Sequence, residues 1–252
     1  LYKAVDPQTV PPGRRRKVFF KQKDRILAAS GSDSVLSVYY SFDLEPSAFE
    51  GVGPHMFYTP REEGLNKVLE RSWSQYDSFE GLLGWLQDYF KYTTYEISIP
   101  ALRDGSLAKP GKSGVIVSTL IDYPLVKKVE ELGFYEEFNR YFEKYILGLL
   151  EEKVGRPLEE ALAGSVVSTP LTIERRTGSS GGAITGWSFE EEIPVVHGFT
   201  KIAKSIRTVL PDIYQAGQWA FSPSGAPVCI LTGKLAAKEA DRMIRMHKRN
   251  GN

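Results

Sequence analysis

The sequence predicts an α+β fold in which helices pack on a mixed β-sheet, and three stretches carry this prediction. Apolar and polar residues alternate over residues 33–44, which is typical of a half-buried strand. Over residues 134–153, apolar residues recur every three or four positions, as on one face of a helix. Near the carboxyl end, the apolar run 213–216 predicts a buried strand, and the segment from Ala226 predicts a helix.

Composition limits the classes of protein to be considered. The chain has 252 residues, of which 42% are hydrophobic and 25% charged, and this is typical of one large globular domain or two modest ones. The net charge of +1 gives no global basic field, so we expect no nucleic-acid partner. No run of about 18 apolar residues suggests a membrane span. We therefore expect a soluble, cytoplasmic protein.

Cysteine and histidine offer little chemistry. Cys229 is the one cysteine, so no intrachain disulfide can form, and its apolar surroundings predict a buried small side chain rather than a nucleophile. The three histidines, His55, His197 and His247, are scattered along the chain. No spacing typical of a metal site occurs, and we expect no metal.

The amino-terminal residues 1–17 are rich in proline and arginine and are predicted to form a linker or surface loop. A basic cluster, residues 14–17, lies next to the apolar residues 18–20. The simpler interpretation is a solvated loop. The alternative is peripheral contact with an anionic membrane surface.

The middle of the chain supplies further elements. Residues 65–92 carry aromatic and aliphatic residues that predict one helix, whose rings either fill a core or line a site for an apolar molecule. Short strands are predicted at 55–58, at 95–102 with 114–121 and at 161–169.

The strand, loop and helix near the carboxyl end have a chemical use. Ser224 is a predicted N-cap, and Pro227 lies in the first turn of the helix. The free N–H groups and the dipole of a helix N-terminus stabilise negative charge on a ligand. Gly225 and Ala226 would let a flat ring approach the backbone. The alternative is an ordinary packing unit whose small residues serve only close approach.

The residues of this segment resemble a known sequence signature. Residues 216–219 read Ala-Gly-Gln-Trp, residues 224–227 read Ser-Gly-Ala-Pro, and residues 232–237 read Thr-Gly-Lys-Leu-Ala-Ala. The segment resembles the carboxyl-terminal flavin-binding signature of the phytoene desaturase, carotenoid isomerase and retinol saturase group of FAD-dependent oxidoreductases. Three other segments resemble that group in the same order: Ser-Ile-Pro at 98–100, Ala-Lys-Pro-Gly-Lys at 108–112, and Ser-Thr-Pro-Leu-Thr at 168–172 followed by a glycine-rich stretch over 178–186.

The resemblance implies the architecture of an FAD/NAD(P)-binding, glutathione-reductase-like α/β enzyme. Residues 1–163 would then be a linker and the substrate-binding domain, and residues 164–252 the last strand and helix of the FAD-binding domain. The sequence has no strand–GxGxxG–helix unit with an acidic residue about 20 positions later. We therefore expect the chain to be the carboxyl-terminal half of a longer enzyme, inactive without the amino-terminal half as its partner.

FAD is the implied cofactor. The residues that would contact it are Gly217, Gln218, Trp219, Gly225, Ala226, Pro227 and Val228. The resemblance implies that Ala226 and Val228 present backbone N–H groups to the pyrimidine end of the flavin. It also implies that Gln218 reaches the ribityl or pyrophosphate region. Pro227 has no N–H to give.

The implied activity is hydride transfer between flavin and the carbon–carbon bonds of an apolar polyene or isoprenoid substrate, by desaturation, saturation or isomerisation. The sequence shows no acid/base pair or nucleophilic set that would identify catalytic residues. Two alternatives stay open. One is a lipid or isoprenoid carrier without catalysis, and the other is a flavin amine oxidase.

Overall fold

The computed structural model describes residues 5–6, 8 and 10–250. The chain falls into two compact units. We call Asp33–Gly182 the sheet unit, and Leu1–Ser32 with Ala183–Asn252 the terminal unit. The division differs from the boundary at 163/164 given by the sequence. The residues just beyond that boundary stay with the sheet unit because they form a strand that pairs with the first strand of its sheet.

The sheet unit contains a five-stranded sheet. Its strands are β1 (Ser34–Phe42), β2 (His55–Tyr58), β3 (Tyr95–Ser98), β4 (Ser113–Ile121) and β5 (Leu162–Ser168). They lie in the order β2-β3-β4-β1-β5, and every pairing is antiparallel, whereas the sequence predicted a mixed sheet. Antiparallel pairing allows one covered face and one open face. The alternation in β1 reflects this arrangement, with Leu36, Val38, Tyr40 and Phe42 all buried.

Helices of the sheet unit share one hydrophobic core with the sheet. They are α2 (Leu65–Leu69), α3 (Phe79–Tyr92), α4 (Tyr123–Glu131), α5 (Tyr135–Val154) and α6 (Pro170–Thr177). The buried face of α5 follows the predicted periodicity, with Phe138, Phe142, Ile146 and Leu150 in the core. Gly155 ends α5 in the left-handed conformation, which favours glycine.

The single helix predicted over residues 65–92 is wrong, because the chain breaks between α2 and α3. The Ser78 hydroxyl accepts the N–H of Gly81 at 3.2 Å and so caps a new helix start. The indole N–H of Trp85 donates to the carbonyl of Arg71 at 2.7 Å, which secures the intervening turn. These two polar contacts cannot be predicted from helical periodicity in the sequence.

The terminal unit corrects the prediction of a loop over residues 1–17. Helix α1 (Arg14–Ala28) begins directly after Gly13, so the basic cluster is helical. Residues 1–4, 7 and 9 of the predicted linker lie outside the described residues. Phe19 is buried and packs with Val10, while Arg16 donates to the carbonyls of Val10 and Gln8 at 3.0 and 2.8 Å. An apolar anchor and two backbone bonds therefore order this segment.

The rest of the terminal unit has little sheet. Two-residue strands β6 (Val196–His197) and β7 (Phe221–Ser222) pair in parallel. Helix α7 spans Ile202–Ser205, and the long helix α8 spans Ala226–Asn250. No helix in the described residues combines the length and apolar character that a membrane crossing requires.

Candidate functional site

The segment leading to the predicted cofactor residues is not a strand. Over residues 213–216 the structure shows one isolated bridge, between Tyr214 and Arg207, and one further backbone bond, from the N–H of Gln215 to the carbonyl of Ile206 at 2.8 Å. A strand requires a neighbour along its length, and among the described residues this apolar run has none. The prediction of a strand over residues 213–216 is therefore wrong. These residues form an irregular segment that leads to the site.

Gly217 forms a turn anchored on α8. Its φ of 89° lies in the region that favours glycine. Its N–H donates to the hydroxyl of Thr232 at 3.1 Å, and that buried hydroxyl lies 2.9 Å from the carbonyl of Val228, to which it donates. Thr232 thus ties the turn to the first helical turn of α8. The sequence placed Thr232 in the motif but assigned it no role.

The helix start differs from the prediction in its cap. The carbonyl of Gly225 accepts the N–H of Cys229 at 2.9 Å, so Gly225 occupies the N-cap position that was assigned to Ser224. The Ser224 hydroxyl instead lies 3.6 Å from the Cys229 sulfur. Cys229 is half-buried rather than buried as predicted, because it lies in the partly exposed first turn of α8. Pro227 is in that turn, as the sequence predicted.

The backbone at the start of α8 is open to a ligand. Ala226 and Pro227 are exposed, and Val228 is half-buried. An added Cβ at Gly225 would meet nothing closer than Pro227 Cδ at 4.0 Å, so packing does not require glycine at this position. The N–H groups of Ala226 and Val228 belong to a helical first turn, where no intrahelical acceptor exists. This arrangement can stabilise negative charge.

Part of the glycine-rich stretch packs on the predicted cofactor turn. Gly186 has a φ of 88°, and a Cβ there would lie 2.3 Å from the carbonyl oxygen of Gln218. The Gln218 amide donates to the carbonyl of Ala183 at 3.2 Å. The two backbones therefore meet closely, and only glycine fits position 186 without a shift. The Gln218 side chain thus holds the glycine-rich loop in place, a role that the sequence did not predict.

Two tryptophans complete this contact. The rings of Trp187 and Trp219 meet edge to face, with their centroids 4.8 Å apart. The Trp187 indole N–H donates to the carbonyl of Trp219 at 3.1 Å. Trp187 is buried, and it was not among the predicted site residues. Its position directly after Gly186 was the available signal.

We name the assembly of residues 183–187, 217–219 and 225–228 the signature cluster. Residues 178–182 of the glycine-rich stretch belong to the sheet unit. There Glu174 accepts the Tyr123 hydroxyl at 2.6 Å and the N–H of Gly181 at 3.0 Å. The bond to Glu174 raises the pKa of Tyr123 to about 12. These contacts fix the loop after α6 and suggest no chemistry.

The open face of the sheet is the second candidate surface. Val166, Tyr39 and Ile116 form one cross-strand row over β5, β1 and β4. Val166 is 66% exposed and Tyr39 45% exposed. Leu120 on β4 is 50% exposed. Apolar side chains in such a row form a surface suited to an apolar ligand.

Metal chemistry has no visible support in the described residues, where no three His, Cys, Asp or Glu side chains come together as a metal site would require. A comparison with models of protein families and with curated proteins finds no match. The function must therefore be argued from the signature cluster and the sheet face.

Proposed function

We propose that the protein is part of an FAD-dependent oxidoreductase that acts on the carbon–carbon bonds of an apolar polyene or isoprenoid substrate. One observation carries the proposal. Residues 183–186 and 217–219, which lie in two separate segments that resemble the family, pack on each other through the contact of Gly186 with Gln218. Segments that serve one cofactor must meet in space, and these do.

The start of α8 fits the electrostatic need of a flavin. Hydride uptake places negative charge on the pyrimidine side of the ring system, and backbone N–H groups stabilise such charge. Ala226 and Val228 supply these groups, and Gly225 leaves the approach clear. Gly217 and Thr232 hold the preceding turn against the helix. The flavin, when bound, supplies the redox chemistry, while these residues bind and orient it.

The sheet unit supplies the substrate surface in this proposal. The row of Val166, Tyr39 and Ile116 offers apolar contact along three strands. A long hydrocarbon gains binding energy from apolar area and needs few polar contacts. The dinucleotide-binding GxGxxG unit does not occur in these 252 residues. The proposal therefore requires that unit in another segment of the enzyme.

A second candidate is a lipid or isoprenoid carrier without redox activity. The exposed apolar row on the sheet favours it, because this surface serves binding whether or not catalysis follows. In that case the glycines of the signature cluster serve packing alone. The two candidates differ in one respect that is easily measured, namely bound flavin.

The test is an absorbance spectrum of the protein encoded by the complete gene, recorded after gel filtration. The oxidoreductase proposal predicts flavin bands that co-elute with the protein, and release by denaturation should yield FAD. Reduction by a chemical donor should bleach these bands. A colourless protein that also fails to bind added FAD would contradict the proposal and support the carrier.

A further inference from the structure

A basic cleft of about 390 Å³ lies within the terminal unit, and its lining contains no residue of the signature cluster. Helix α1 forms one wall through Arg25, the residues around β6 form another through His197, and α7 with the residues on either side of it contributes Lys201, Lys204 and Arg207. Among the residues that the structure describes, no aspartate or glutamate lines it. Its volume is that of a small-molecule site.

The two arginines are held in place from outside the cleft. Arg25 pairs with Glu192 at 2.7 Å, and Arg207 pairs with Glu239 at 3.0 Å. Both ion pairs use only the Nη2 atom of the arginine. Each guanidinium therefore keeps other N–H donors while its position is restrained, and this suits the forked geometry by which arginine binds phosphate.

The two lysines are not neutralised. Lys201 and Lys204 are exposed, and neither forms an ion pair with any residue that the structure describes. Four cationic side chains line the cleft, and only two carboxylates pair with them, one of which, Glu239, is shared with Arg242. The whole chain carries only +1. The cleft thus concentrates positive charge on a nearly neutral protein, which attracts anions.

The walls of the cleft are fixed by neutral hydrogen bonds. The Gln22 amide donates to the carbonyl of Pro194 at 2.6 Å, which joins α1 to the loop before β6. The Gln215 amide donates to the carbonyl of Ser205 at 2.7 Å, which joins the approach segment to α7. A ligand would therefore meet cations whose supporting backbone is already positioned, and this lowers the entropic cost of binding.

A neighbouring surface shows what an ordinary basic region looks like in this unit. Along α8, Arg242 pairs with Glu239 at 2.9 Å, and Arg245 pairs with Asp241 at 3.0 Å. Each of these arginines has an acid three or four positions before it on the same helix. The cleft differs because its lysines have no such acids beside them in the lining.

We propose that the cleft binds a ligand through a phosphate or diphosphate group. Restrained guanidinium groups supply directed hydrogen bonds, and the lysines supply charge. This inference goes beyond the flavin function, because no residue of the signature cluster lines the cleft. The phosphate could belong to a free small molecule or to a lipid headgroup, and the experiment separates these sources.

The experiment measures binding of inorganic pyrophosphate by calorimetry at fixed, physiological ionic strength, with the protein encoded by the complete gene. The test variant is Lys201→Gln with Lys204→Gln. The matched control is Lys109→Gln with Lys248→Gln, which removes two exposed lysines that do not line the cleft. We expect saturable binding that weakens about tenfold or more in the test variant, because charge-assisted bonds are lost, and stays unchanged in the control.

A parallel arm uses sedimentation with phosphatidylcholine vesicles that contain or lack phosphatidic acid. Loss confined to pyrophosphate indicates a free ligand, and loss confined to phosphatidic acid vesicles indicates a headgroup. Either result supports the proposal. Absence of saturable binding in both arms, or equal weakening in the control, would overturn it.

Flavin content and circular dichroism of the same samples keep the two proposals separate. Unchanged dichroism shows that the variants fold, as expected for exposed lysines. If the test variant does not fold, the single substitution Lys201→Gln replaces it. A sample that carries flavin but does not bind pyrophosphate overturns only the cleft. A sample that binds pyrophosphate without carrying flavin overturns only the redox function.

Discussion

The two units of this protein are ordered by different forces. In the sheet unit, apolar side chains from β1, α3 and α5 form one continuous core. In the terminal unit, the core cluster around Val10 and Phe19 is small, and side-chain amides bond to distant backbone carbonyls, as Gln22, Gln215 and Gln218 do. Burial of apolar area dominates the first unit, whereas specific polar contacts position the second. The first arrangement leaves a periodic trace in the sequence, and the second does not.

Removal of an aromatic ring from the core of the sheet unit should have the largest effect on stability. Phe142 is fully buried, and its ring lies 5.3 Å from that of Phe90. Phe142→Ala should lower the free energy of unfolding by about 3–5 kcal/mol, because it removes buried area and leaves a cavity. Denaturant unfolding followed by tryptophan fluorescence measures the change.

Phe57→Ala is the matched control, because Phe57 lies in β2 of the same unit but is 68% exposed. Its cost should stay within about 0.5 kcal/mol. Equal costs for the two substitutions would show that the sheet is not covered on one face only.

Much of the sheet unit could be predicted because its elements bury one face each. The alternation in β1 and the three-to-four spacing in α5 were both confirmed. The break between α2 and α3 could not be read from that spacing, because it depends on a cap at Ser78 and on the bond from Trp85 to Arg71. The pattern of residues in a strand also does not specify that every pairing in the sheet is antiparallel.

The terminal unit was predicted less well, because contacts between distant residues leave no periodic pattern in the sequence. Residues 14–17 looked like a loop by composition, but Phe19 anchors them as the start of α1. Residues 213–216 looked like a strand, but they find one bridge instead of a neighbouring strand among the described residues. The signature motifs correctly marked α8, yet the contact of Gly186 with Gln218 appears only in three dimensions.

Caps provide a smaller and sharper contrast between the units. Thr169 begins α6 with a capping box, in which its hydroxyl accepts the N–H of Thr172 at 3.3 Å, and it is fully buried. Thr169→Ala should therefore cost about 1–2 kcal/mol. Ser224 was the predicted cap of α8, but Gly225 holds that position. Ser224→Ala should change stability by less than about 0.5 kcal/mol.

Thermal unfolding of both variants measures these costs. A loss at Ser224 as large as that at Thr169 would restore Ser224 as the cap and contradict the structure of the helix start.

Alkaline pH offers a graded test of the core in the sheet unit. Burial raises the pKa of Tyr145 from its usual 10.0 to about 12, and its hydroxyl donates to the carbonyl of Phe90 at 2.9 Å. Between these values the unfolded chain releases a proton that the folded chain keeps. The stabilising contribution is complete below pH 10 and is lost as the pH rises towards 12.

Urea unfolding at pH 9 and pH 11 measures this loss. Tyr145→Phe should reduce the difference between the two pH values, because it removes one titrating group from the core. A difference that stays the same in Tyr145→Phe would assign the alkaline loss to other groups.

The most direct test of the central claim is the ratio of bound flavin to protein in two glycine variants of the complete gene product. Gly186 and Gly198 have φ values of 88° and 89°, so alanine strains both backbones alike, but only at 186 would the new Cβ collide, with Gln218. We predict that Gly186→Ala loses most of its flavin and that Gly198→Ala keeps it. Equal flavin in both variants, or none in the parent protein, would contradict the assignment of the signature cluster to the cofactor.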